Sequence, residues 1–150
     1  MTGVNRRQAF RIGLGGLALV SGTWVAPAQA ANDAQDLMAK FTGGKKPQEG
    51  RVKLDLPEIA ENGNTVPMTV SVDSPMTEQS YCSDVLVVAD GNPRGGVVRF
   101  RFSPASGAAE ANTRIRLAET QNITAIAKMS DGTCYMAVKQ VKVTIGGCGG

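Results

Sequence analysis

Cys148 is the residue on which the chemistry of this chain converges. It stands in Gly146-Gly147-Cys148-Gly149-Gly150, one sulfur atom with two glycines on either side. A thiol can be joined to another sulfur, exchanged or oxidised. Glycine has no Cβ and is free in φ and ψ, so the segment reads as a thin, flexible arm of at most about 17 Å when extended. Such an arm would take a sulfur atom into a narrow pocket on another protein. The bland alternative is a frayed chain end, but a frayed end has no use for cysteine, one of the most often buried residue types. No side-chain cation lies near Cys148 in sequence, and its closest charge is the α-carboxylate two residues on, which disfavours the thiolate. The expectation is a passive thiol of ordinary pKa, about 8.5, activated by whatever enzyme it visits.

The rest of the composition excludes much else. The chain has no histidine, so Ser-His-Asp and Cys-His nucleophilic arrangements are absent, as are histidine-based zinc, haem and mononuclear copper sites. Three cysteines without a close pair make no four-thiolate site, and neither metal nor cofactor is expected. Met68, Met76, Met129 and Met136 read as core filling rather than a thioether copper site.

The other end of the chain fixes the expected compartment. Asn5-Arg6-Arg7-Gln8-Ala9-Phe10-Arg11 is a charged stretch with an arginine pair, Ile12 to Val25 is apolar, and Ala28-Gln29-Ala30 offers small residues for cleavage before Ala31. Residues 1–30 therefore read as a cleaved export signal, with the arginine pair pointing to the Tat route and the periplasm. As a permanent membrane anchor the apolar stretch is poor, because a span needs about 20 apolar residues and Gly13, Gly15, Gly16 and Gly22 dilute this one. Removing Arg6, Arg7 and Arg11 leaves 13 Lys and Arg against 13 Asp and Glu, a net charge of zero. The basic stretches Arg99-Phe100-Arg101-Phe102 and Arg114-Ile115-Arg116 are then strands with one wet face, and nucleic-acid binding is not expected.

The elements that must position Cys148 are mostly short strands. Residues 31–50 read as a helix and linker, with Asp33 as N-cap, Leu37, Met38 and Phe41 on one side, and Gly43-Gly44-Lys45-Lys46-Pro47 ending it. Strands are expected near Arg51–Leu56, Val66–Asp73, Asp84–Ala89, Val97–Ser103, Thr113–Ala118, Asn122–Met129 and Thr133–Ile145. Seven strands separated by turn signals in residues 51–145 argue for an all-β, immunoglobulin-like antiparallel sandwich, followed by the arm 146–150.

In that sandwich the last two strands form a hairpin around Ser130-Asp131-Gly132-Thr133, and the strand before Ala89 runs antiparallel to the first of them. Cys82 and Cys134 are then expected at one end and in a structural disulfide, as export favours. Cys148 falls at the other end, because Cys134 to Ile145 spans roughly 36 Å of strand.

The terminal Gly-Gly-Cys-Gly-Gly, the stretch Pro57-Glu58-Ile59-Ala60-Glu61-Asn62-Gly63-Asn64-Thr65-Val66-Pro67 and the export signal together resemble the SoxY family, the sulfur-carrier subunits of the bacterial Sox thiosulfate-oxidising system. The resemblance covers nearly the whole chain and implies the same sandwich fold. It places the carrier cysteine at Cys148, with Gly146, Gly147, Gly149 and Gly150 as its slender arm. It also implies a heterodimer with a SoxZ-like β-sandwich subunit. The implied visiting enzymes are a haem-containing conjugating enzyme, a sulfate-releasing hydrolase and a sulfane dehydrogenase. Catalysis would belong to those partners, and this chain would carry the substrate. Two other classes fit an exposed thiol. One is a thiol oxidoreductase, which needs a resolving cysteine or an activating neighbour. The other is an exported immunoglobulin-like module that dimerises through a Cys148 disulfide.

Overall fold

The computed structural model describes residues 32–147, so the expected export signal, residues 1–30, lies outside it. In chain order come a helix, α1 (Ala34–Thr42), and the strands β1 (Gln48–Glu49), β2 (Val52–Asp55), β3 (Ile59–Ala60), β4 (Val66–Val72), β5 (Cys82–Ala89) and β6 (Gly96–Arg101). A 3₁₀ turn at Pro104–Ser106 precedes β7 (Ala109–Ile115), β8 (Gln121–Met129) and β9 (Cys134–Val143). One sheet runs β1-β9-β8-β5-β6, with β3 also on β9; the other is β2-β4-β7. The long strands all pair antiparallel, giving the immunoglobulin-like sandwich that the strand spacing predicts.

Alternation explains the three-stranded sheet. In β4, Val66, Met68, Val70 and Val72 are buried, while Pro67, Thr69 and Ser71 face outward. That period of two is what a sheet with one wet face requires. The large sheet departs from it at its centre. Ile123, Ala125, Ala127 and Met129 of β8 face the second sheet, and Ile126, pointing the opposite way, is only 1 % exposed. Its cover is α1, whose Phe41 packs on Ile126 and Cys134 with Met38, Leu86 and Met136 around them. The residues expected to share one side of the helix thus build a small second core on the outside of the sheet.

Several details differ from the sequence expectation. Asp33 sits at the N-cap of α1 without capping it. Its carboxylate instead accepts the Gly95 N–H at 2.6 Å, and Asn32 Oδ1 takes the Ala34 N–H at 2.8 Å. Asn32 Nδ2 also donates to the Ala89 carbonyl at 2.9 Å and to that of Asn92. The helix is therefore stitched to the β5–β6 loop rather than closed on itself.

β7 begins four residues earlier than expected because Ala109 pairs with Val72, and it ends at Ile115. The chain then leaves β4, and Arg116–Ala118 is held by the buried Asn92. Asn92 Nδ2 donates to the Arg116 carbonyl at 2.9 Å, and its Oδ1 accepts from Ala118 N and Gln121 Nε2, both at 2.9 Å. β1 and β3, too short to show a period in sequence, run parallel along the outer edge of β9, at Tyr135–Met136 and at Lys142–Val143. They occupy backbone groups that a bare edge strand would leave open to pairing with other chains.

Replacing Asn92 with alanine strands a buried carbonyl, an amide N–H and the Gln121 amide together. We expect it to lower stability by about 1–3 kcal/mol. A urea titration should show a reduced midpoint with an unchanged slope, and an unmoved midpoint would contradict this role.

Candidate functional site at the root of the C-terminal tail

β9 ends at Val143, but the backbone beyond it is not free. The segment before β4 runs beside it: Lys142 N donates to the Glu58 carbonyl at 2.9 Å and Thr144 N to that of Ala60 at 3.1 Å. Thr144 Oγ1 adds a bond to the Glu61 carbonyl at 3.0 Å. The Gly63 N–H then reaches the Ile145 carbonyl at 2.7 Å. From the other side, Gly147 N donates to the Leu117 carbonyl at 2.8 Å, and Leu117 N donates to the Gly63 carbonyl at 2.8 Å. Three segments, 58–63, 117–118 and 145–147, thus close a ring of backbone bonds around the tail.

That ring leaves no room for side chains. A Cβ on Gly63 would fall inside contact distance of the Leu117 carbonyl oxygen and 2.7 Å from Gly147 N. One on Gly146 would collide with the Ala118 carbonyl oxygen, and one on Gly147 would lie 2.7 Å from that of Gly63. None of the three has a left-handed φ. They are glycines because backbones approach closely, one of the two standing reasons for the residue.

The expectation of a flexible arm starting at Gly146 is corrected here: Gly147 is buried and bonded. Cys148, Gly149 and Gly150 lie outside the described residues. Covalent geometry alone keeps Cys148 Cα about 3.8 Å from that of Gly147, so the thiol belongs to this end of the sandwich. Sequence reasoning missed Gly63 as part of the site. Its setting, Glu61-Asn62-Gly63-Asn64, read as a turn between strands. The turn is there, with Asn62 Oδ1 accepting the Asn64 N–H at 2.9 Å, but its glycine serves the tail.

The expected disulfide is also corrected. Cys82 and Cys134 are both free and buried. They lie at one end of the sheet, as the hairpin argument required, but β8 puts them on opposite faces. Cys82 pairs with Met129 and packs in the main core. Cys134 pairs with Lys128 and packs in the outer core with Phe41 and Ile126. Adjacent residues on a strand point to opposite faces, so thiols opposite 128 and 129 cannot meet through the sheet.

Burial does the work expected of the disulfide. Withdrawal from water pushes the Cys82 thiol up to about 11, against a smaller opposing effect of its bond to the Asp84 carbonyl. Burial also raises Cys134, with Lys128 and Lys45 opposing and Asp131 adding to the rise. The thiolate is the reactive form, so both sulfurs are held inert at neutral pH.

The other candidate features are structural. Met68, Met76 and Met129 lie in the main core and Met136 against the outer one. The basic stretch on β6 is tied down, with Arg99 Nη2 2.8 Å and Arg101 Nε 3.6 Å from Asp84. Arg99 and Lys128 also each lie 5.4 Å from the centre of the Phe41 ring. An open groove of about 540 Å³ between α1 and β8–β9, lined by Met38, Thr42, Ile126, Met136 and Val138 among others, contains no cysteine. Among the described residues no cluster of His, Cys, Asp or Glu could hold a metal ion. No helix there is long and apolar enough to cross a membrane.

Residues 38–148 match a family model described as "Sulfur oxidation protein SoxY", a match that ends on Cys148. The sulfur carrier protein SoxY from Chlorobium limicola f thiosulfatophilum is similar in structure. Its TM-score is 0.60 at 34 % identity, over 74 % of this chain and 96 % of that one. A superoxide reductase (neelaredoxin) from Ignicoccus hospitalis has a TM-score of 0.57 at 19 % identity, over 63 % of this chain and 80 % of that one. A likeness at that identity shows the sandwich fold alone. No curated protein matches the chain.

With two thiols buried, iodoacetamide at pH 8 should label native protein once, at Cys148, and label Cys82 and Cys134 only after unfolding. A second fast-labelling site would contradict the burial argument. The buried thiol also sets an alkaline limit. The unfolded thiol titrates near 9.0 and the folded Cys82 near 11, so the folded state holds the proton more tightly. Its contribution is whole below pH 9 and is lost as pH rises through 11. Cys82→Ala should flatten the stability profile across that window, as read by denaturation midpoints.

Proposed function

Because the chain belongs to the SoxY family, we propose that it carries sulfur intermediates covalently on Cys148 and presents them to partner enzymes during thiosulfate oxidation. Membership makes it a sulfur-oxidation protein of the carrier type; the bound species, the compartment and the partners are our reading. The observation that carries it is the arrangement of the thiols. Two cysteines are buried with their protons held tightly, and the third follows directly on a backbone fixed at Gly147. Only that sulfur is left for exchange with a visitor.

The chemistry asks little of this chain. Joining the Cys148 thiolate to the sulfane sulfur of thiosulfate forms a sulfur–sulfur bond and releases two electrons, which a haem-containing conjugating enzyme would accept. Hydrolysis of the S–SO₃⁻ bond then frees sulfate and leaves a persulfide on Cys148. Oxidation of the outer sulfur to a sulfonate removes six electrons to a sulfane dehydrogenase and takes three oxygens from water. A second hydrolysis returns the thiol and a second sulfate. Each step happens at an atom beyond the sandwich, which fits a chain lacking histidine and any activating cation next to Cys148.

The export signal in residues 1–30 supports a periplasmic site for this cycle. A SoxZ-like subunit is the proposed heterodimer partner. Among the described residues the exposed large apolar side chains are Ile59, Val138 and Ile145, all on β9 or beside it. That supports the last strand as the face toward this partner. The Val97–Phe102 stretch is less suited, since its apolar side chains already pack on the core.

Intact mass spectrometry without reductant tests the proposal directly. Protein from thiosulfate-fed cells should carry reductant-labile additions of about 32 or 112 Da, for one sulfur or one thiosulfate, which Cys148→Ser abolishes. An unmodified thiol, or a homodimer mass only, would overturn it in favour of a disulfide-linked module. Gly149→Val should leave iodoacetamide labelling intact and slow turnover by partner enzymes at least tenfold. The same change at Gly147 is a poorer probe, because its Cβ would also disturb the backbone ring.

A further inference from the structure

The geometry points to Gly63 as a positioning residue for Cys148: the Asn62–Gly63 turn and the Leu117 carbonyl grip the tail at Ile145 and Gly147, so that the carrier thiol is presented from a fixed pedestal. The inference rests on the carrier reading for its purpose but not for its existence. The grip consists of three bonds, Gly63 N to Ile145 O at 2.7 Å, Leu117 N to Gly63 O at 2.8 Å and Gly147 N to Leu117 O at 2.8 Å. Gly63 takes part in two of them, one as donor and one as acceptor, and it is the only member from outside the last two-fifths of the chain. Gly63 is also where a side chain would be least tolerated, since its Cβ position lies against both Leu117 O and Gly147 N. Both partners of the tail are themselves anchored. Thr144 holds the strap through the Glu61 carbonyl, and Ala118 N is held by Asn92.

The consequence concerns reach. A five-residue wire from Ile145 could sweep about 17 Å, whereas the three residues after Gly147 reach at most about 10 Å. A thiol tethered at a fixed point samples a smaller volume and meets a docked enzyme at higher effective concentration. It also loses less backbone freedom when it enters an active site. A partner enzyme would then have to dock against the end of the sandwich formed by residues 58–63 and 117–118, rather than fish for a distant thiol.

Gly63→Ala tests this, and Gly146→Ala tests it independently, because its Cβ would collide with the Ala118 carbonyl oxygen at a terminus where unfolding of the sandwich is not at stake. The first readout is amide hydrogen exchange. In the native protein the Gly147 amide should be protected. In both variants it should exchange at least tenfold faster while β5 and β8 amides keep their rates. The second is conjugation by a thiosulfate-conjugating enzyme, where KM for the carrier should rise at least fivefold and kcat should stay within twofold. Iodoacetamide labelling of Cys148 should not change.

Unprotected Gly147 in the native protein, or unchanged exchange in both variants, overturns the grip itself. Faster exchange with unchanged KM overturns its positioning role. Failure of native protein to accept thiosulfate would count against the carrier reading alone, since the exchange result stands without it. If Gly63→Ala does not fold, Gly146→Ala carries each of these outcomes.

Discussion

Ile123, Ala125 and Ala127 of β8 are fully buried against the second sheet, and Ile126 between them is buried against α1. Burial of this one strand on both faces is the constraint from which the rest follows. β8 lies between β5 and β9 in the large sheet, so it fixes the register of each. It pairs with β9 from Gln121↔Val141 to Lys128↔Cys134, and a slip of one residue would turn its whole apolar set to the wrong face. The same pairing decides which way Cys134 points and where Val143 stops. The position of the tail is therefore inherited from the core and not from the tail's own sequence.

The register also explains how a chain with three thiols can expose one. A disulfide would have removed Cys82 and Cys134 from exchange covalently. The fold removes them by desolvation, one in each core, with β8 between them. For a sulfur carrier this has a chemical merit. A disulfide is itself a target for persulfides and thiols, which attack it through a mixed disulfide. Neutral buried thiols offer neither a nucleophile nor a leaving group to the cargo on Cys148.

How much of this could be read in the sequence depended on whether a feature leaves a period. β4 and β8 alternate cleanly and stood out, as did Cys148 between its glycines and the hairpin at Asp131-Gly132. α1 was legible from Leu37, Met38 and Phe41, although nothing in the sequence showed that the helix lies on the outside of the sheet. Asp33 looked like a cap because aspartate favours that position; its carboxylate was drawn instead to Gly95 by tertiary structure. β1 and β3 are two residues each and parallel to β9, below any periodic signal. The thiols at 82 and 134 were placed at the correct end, but their faces turn on a shift of register between Cys82 and Asp84. A single irregular residue of that kind is invisible without coordinates.

The glycines of the tail show why the root of the site was harder to read than its sulfur. Glycine is used where the chain must bend freely and where another backbone passes too close for a Cβ, and sequence does not say which. Gly146 and Gly147 belong to the second kind, together with the distant Gly63. The distinction matters energetically, because ordering one residue on docking costs about 1–2 kcal/mol of backbone entropy. Two glycines already held by the sandwich spare a visiting enzyme that expense and shorten its reach requirement. A carrier that serves several enzymes in turn gains from such an arrangement. Every partner meets the thiol at the same place relative to one rigid surface, and the affinity of each can stay low enough for the cargo to move on.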